Sequence, residues 1–220
     1  MFRRLVLLAL VSLLIPFSTF ASSDKIEPTG AFTDAAASDS VKKSLEEKGY
    51  KITLADGTSL CEIWFRKAIP VATKKDISGA FYTEIVDSAV IAVINFPKNY
   101  SDFRGQDVKA GAYTLRYALH PTDGNHMGIS PYRDFLLLTP VAVDQNVDAT
   151  YGFTDLTKMS AKSLGGNHPA AMSLLLAEGA EVNPKLSENE QAHLILTLKV
   201  KTSAGSDLPI AFVVNGKVEH

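Results

Sequence analysis

Strict alternation of apolar and polar residues is the feature that most restricts how this chain can fold. From Gly111 to Leu119, Tyr113, Leu115, Tyr117 and Leu119 fall on one side, and Thr114, Arg116, Ala118 and His120 on the other. Leu194, Leu196, Leu198 and Val200 alternate in the same way with His193, Ile195, Thr197 and Lys199. A period of two belongs to a strand with one face in a core, and a helix cannot satisfy it. Tyr50, Ile52 and Leu54 repeat the pattern, Asp56-Gly57 supplies a turn, and 59–66 returns, which is a hairpin signature. The apolar runs 88–96, 135–143 and 209–214 add further strands, bounded by Pro97, by Pro140 within the run and by Pro209 at its start. At least seven strands are thus joined mostly by short turns. The pattern predicts a mainly β, antiparallel sandwich, jelly-roll or immunoglobulin-like, with a few short helices.

Two segments read as helical. In 40–48, Ser40 is placed to cap, Val41 and Leu45 share a face, and Gly49 sits at the stop. In 155–164, Asp155 is placed to cap and Gly165-Gly166 follows. The run 170–177 is Ala-, Met- and Leu-rich, which suits a helix, but short enough for a buried strand.

With 22 basic and 24 acidic residues the chain lacks the basic surplus of a nucleic-acid binder, and its 46% hydrophobic content excludes disorder. One cysteine, Cys61, excludes an internal disulfide framework and a Cys-rich metal centre. Cys61 alternates with Ile63 and Phe65, so it is expected on the core face, with Trp64 on the other face as an exposed aromatic for a glycan or peptide.

Residues 1–21 read as a secretory signal peptide. Arg3 and Arg4 form the basic start, 5–15 the apolar stretch, and Thr19-Phe20-Ala21 the small-residue cleavage site. The apolar stretch is shorter than the roughly 20 residues a membrane span needs. The expectation is therefore a periplasmic or secreted protein without stable membrane insertion after cleavage. Residues 22–39 read as a flexible linker and 40–220 as one β-sandwich domain.

The densest stretch is 102–134, continued by Phe135. It holds Gly111-x-Tyr113-x-Leu115-Arg116-Tyr117, then Pro121-x-Asp123-Gly124-x-His126-Met127-Gly128, then Arg133-Asp134-Phe135. These pieces, with Cys61-Glu62-x-Trp64 and the ending Gly216 to His220, resemble an uncharacterised family of exported bacterial proteins. The resemblance implies export and transfers no activity.

Two constellations carry chemistry. Around the 120–133 loop, His120 and His126, with His168 the favoured distant partner and His193 the second, are candidate ligands for zinc or copper. Arg116 and Arg133, with Asp123 and Asn125, form a candidate ligand-binding set, since arginine grips carboxylate or phosphate in two-pronged fashion. Against these stand structural readings: a turn built on Asp123-Gly124-Asn125, and Asp–Arg pairs that fix loops. The zincin, nucleophile-elbow and phosphate-loop motifs do not occur, and a thiol on an apolar strand face is a poor nucleophile. The chain therefore reads as a non-catalytic binding or structural module of the cell envelope, without a cofactor, for a small-molecule, glycan or protein ligand and not for nucleic acid. The alternative is a metal-binding protein, or a metal-dependent enzyme, centred on His120 and His126.

Overall fold

A computed structural model describes residues 23–121, 132–165 and 168–218. The elements in chain order are β1 (Lys25–Thr29), α1 (Asp39–Ser44), β2 (Gly49–Thr53), β3 (Ser59–Phe65), β4 (Val90–Phe96), β5 (Tyr100–Ser101), β6 (Asp107–Val108), β7 (Gly111–Leu119), β8 (Asp134–Pro140), α2 (Phe153–Ala161), β9 (Ala170–Leu175), β10 (Lys185–Glu188), β11 (Leu194–Lys201) and β12 (Asp207–Asn215). Ten strands form one sheet in the order β1-β2-β3-β4-β7-β8-β9-β12-β11-β10, and β5–β6 is a separate small hairpin. Every neighbouring pair is antiparallel. The sheet is nearly closed: its end strands, β1 and β10, come alongside each other without a hydrogen-bonded ladder. The fold is thus mainly β and antiparallel. Among the described residues no helix is long and apolar enough to cross a membrane.

The alternation explains the interior. Ile63 of β3, Leu115 and Tyr117 of β7, Leu136 of β8, Leu196 of β11 and Phe212 of β12 are all buried in one cluster fed from around the sheet. The outward faces are covered locally. Val41 and Leu45 from the α1 region, with Phe32, Val141 and Val147, pack on Trp64, Val93 and Ala112. Leu156 of α2 packs on Ala118, Phe135, Leu137 and Ala171.

Residues 25–29, within the stretch expected as a linker, are strand β1, paired with β2 over its whole length. The reason is that β2 has two edges, and the arm covers the one β3 leaves open. The cap of α1 is Ser38, not Ser40: its Oγ accepts from the Val41 N–H at 3.2 Å. The ambiguous run 170–177 contains strand β9. It lies between β8 and β12, with core on one face and α2 on the other, so both faces are apolar and no period shows.

Cys61 is fully buried, as its alternation indicates, and burial pushes its thiol well above the ordinary cysteine range. Labelling by a maleimide should be slow in the native protein and fast in denaturant, since the thiolate is the reactive form. Equal rates would contradict this packing.

Candidate functional site

The outward side of β7 builds the site. Thr114 and Arg116 are fully buried there, because residues 141–151 fold back over them. A buried guanidinium needs an acceptor for each of its five N–H groups. Arg116 Nε donates to Asp144 Oδ2 at 2.6 Å and Nη2 to Asp144 Oδ1 at 2.8 Å. Nη2 also donates to the Asn146 carbonyl at 2.8 Å, and Nη1 to the carbonyls of Ser88 and of Ala149, the latter at 3.0 Å. Thr114 Oγ1 donates to Asp144 as well. The guanidinium carbon lies 4.8 Å from the centre of the Tyr151 ring. Arg116 therefore directs all its donors into the chain and holds the 144–151 loop against the sheet.

Ser88 sits where this network meets the surface. It has φ 61°, a left-handed backbone that a non-glycine residue adopts only under constraint. Three bonds supply the constraint: its N–H donates to the Tyr117 carbonyl at 3.1 Å, its carbonyl accepts from Arg116, and its Oγ accepts from the Tyr151 N–H at 2.8 Å.

Beside Ser88 opens a cleft of about 360 Å³ whose lining includes Asp87, His120, Arg133, Tyr151 and Phe153. A second cleft of about 380 Å³ shares Asp87, Tyr151 and Gly152 and runs toward Lys75 and Thr83. Arg133 is half-buried; its Nε donates to the His120 carbonyl at 3.0 Å and Nη1 to the Ser78 carbonyl at 3.4 Å. Among the described residues Nη2 has no hydrogen-bond partner. The His120 ring stacks on Phe135, with centroids 4.0 Å apart and planes 11° apart. Phe153 is 37% exposed.

The other buried carboxylates also fasten segments. Asp134 accepts from the Phe81 N–H (2.7 Å), the Tyr82 N–H (3.1 Å) and the Tyr117 hydroxyl (2.8 Å). Asp102 accepts from the backbone N–H groups of Arg104, Gln106 and Ala171 and from the Gln106 side chain. Burial raises the pKa of Asp102, and the hydrogen bonds from Gln106 and Ala171 only partly oppose it. A native pKa above the unfolded one means the native state holds the proton longer. The stability Asp102 contributes is then full below the unfolded pKa and is lost as pH rises through the native one. A carboxyl ¹³C titration should place its midpoint above that of Asp in an unfolded peptide; a midpoint at or below it would contradict this.

Of the residues singled out in the sequence, the fold brings His120 and Arg133 to one cleft and sets Arg116 behind its wall. His168 is exposed on the chain leading into β9. His193 is buried, its Nε2 2.8 Å from the Lys217 carbonyl. Asp123, Asn125 and His126 lie outside the described residues. Among the described residues no three or more His, Cys, Asp or Glu side chains gather as a metal site. Trp64 is corrected: it is buried beneath Phe32, with Nε1 donating to the Gly30 carbonyl at 2.7 Å, so it is not an exposed recognition aromatic. Sequence reasoning missed Asp87, Ser88, Asp144 and Tyr151. They lie in loops without periodicity and reach the site only through tertiary pairing. No family model, no curated protein and no solved structure matches the chain.

Proposed function

We propose that the chain is an exported cell-envelope protein that binds a ligand without transforming it, in the cleft bounded by Arg133, Tyr151 and Phe153. In this reading the curled sheet serves as a flattened, sandwich-like scaffold. The observation that carries the proposal is the construction of the cleft wall. Ser88 and Tyr151 are tied together and fastened to β7 through Arg116, while Arg133, whose Nη2 has no partner among the described residues, and the partly exposed Phe153 line the cleft beside them. A wall held rigid before the ligand arrives loses little entropy on binding. Its volume is in the range of small-molecule sites, about 300–1,000 Å³.

Saturation-transfer NMR against small acids, amino acids, oligosaccharides and short peptides tests it. At least one compound should bind saturably and lose about tenfold in affinity, or 1.4 kcal/mol, on Phe153→Ala. A panel with no binder sensitive to Phe153→Ala would overturn the proposal. So would stoichiometric zinc or copper in the native protein held by His120 and His126. Export is supported by the pattern of residues 1–21. Intact-mass measurement should find an N-terminus between Ser22 and Asp24, and a retained Met1 would overturn that part.

A further inference from the structure

Two opposite charges line the same cleft and do not meet. Arg133 and Asp87 both border its space of about 360 Å³, yet no ion pair joins them, and neither is paired with another charged side chain among the described residues. Elsewhere the molecule pairs opposite charges that lie close together, as in Arg66–Asp148, Lys74–Glu84 and Lys201–Asp207. Arg133 is positioned through its Nε and Nη1 bonds to the carbonyls of His120 and Ser78. Asp87 is exposed and precedes Ser88, whose backbone is fixed by three hydrogen bonds. Arg133, held by two carbonyls, and the exposed Asp87, next to the fixed backbone of Ser88, thus border one cleft that also presents Tyr151 and Phe153.

We propose that the cleft selects small amphoteric ligands of the aromatic amino-acid class, with the carboxylate on Arg133, the ammonium on Asp87 and the ring against Phe153. The inference rests on the binding reading above. An arginine N–H and a carboxylate form a charge-assisted bond stronger than a neutral one. Complementary potentials at two ends of a small site favour a ligand carrying both signs and disfavour one with either end neutralised.

The probes are L-phenylalanine, N-acetyl-L-phenylalanine and L-phenylalaninamide, titrated into ¹⁵N-labelled full-length mature protein. L-Phenylalanine should perturb the amide resonances of Gly152 and Phe153 saturably, and each capped form should bind at least tenfold more weakly. Asp87→Asn should remove the discrimination against the acetylated probe, and Arg133→Gln that against the amide. Capped forms that bind as tightly as the free amino acid overturn the amphoteric inference and leave the cleft as a binding site. The inference also fails if no probe perturbs the cleft while other compounds of the panel do. If no compound of the panel binds there, both proposals fail. The probes alter only the small molecule, so the wild-type comparison decides the matter even if Arg133→Gln loosens the fold.

Discussion

Arg116→Met should lower the free energy of unfolding by about 3–5 kcal/mol, the usual cost of removing one partner from a buried ion pair. The substitution roughly preserves volume, so the loss comes from what is left behind. Asp144, fully buried, would keep only the Thr114 hydroxyl from the present network. The carbonyls of Ser88, Asn146 and Ala149 would lose their guanidinium donor at the same time. Asp144→Leu alone should cost a similar amount, because it strands the guanidinium. The double variant should cost clearly less than the two single losses together, since no unpaired charge remains. Urea titrations of the four proteins measure this. A single-variant loss below about 1 kcal/mol would show that the pair is hydrated and that the loop is held by other contacts. Hydrogen exchange gives a second readout, because backbone amides near residues 144–151 should exchange faster in Arg116→Met if this guanidinium fastens the loop.

The same network shows why part of the molecule could be read in the sequence and part could not. The alternation in β7 assigns Tyr113, Leu115 and Tyr117 to one face and Thr114 and Arg116 to the other, and the fold keeps that division. Alternation reports which side of a sheet a residue occupies, but not what lies on that side. Arg116 on a polar face reads as a ligand-gripping residue, but the 141–151 segment covers it with Asp144 and two carbonyls, and Ser88 supplies a third. That segment has no period, and Asp144 is 28 positions from its partner. Asp134 likewise lies beside Arg133 in sequence yet accepts from Phe81, Tyr82 and Tyr117. The cleft is invisible in the chain for the same reason: Asp87, Ser88, His120, Arg133 and Tyr151 come from four separate stretches, joined only when β7 and β8 pair and the loops fold over them. Strand β1 escaped for a different reason. Its burial is shallow, with exposed and half-buried residues and Pro28 in the middle, so neither composition nor period marks an edge strand that depends on β2 for its bonds.

Trp64→Ala should cost about 3–5 kcal/mol, in the range of large aromatic deletions from a core, and should free the arm that carries β1. Three contacts set the size of the effect. The indole packs on Phe32 with ring centroids 5.0 Å apart, its Nε1 donates to the Gly30 carbonyl, and its face lies over Gly49. Gly30 and Phe32 follow β1 directly, so the indole pins the chain where it leaves the sheet. Gly49 is part of the fit: a Cβ there would lie 2.4 Å from the indole nitrogen, so Gly49→Ala must displace the ring and should itself cost about 1–3 kcal/mol. Trp64→Phe should fall between wild type and Trp64→Ala, keeping most of the aromatic packing while leaving the Gly30 carbonyl without its donor. Trp64 is the one tryptophan in the chain, so its emission reports its own surroundings. Native emission should be blue-shifted and poorly quenched by iodide, and Gly49→Ala should shift it to the red. Limited proteolysis separates a freed arm from a general loss of stability: in Trp64→Ala, cleavage between residues 24 and 38 should precede cleavage of the sheet. A stability loss within about 0.5 kcal/mol, the range of exposed substitutions, together with red-shifted native emission, would mean that the ring faces solvent and that the arm lies elsewhere.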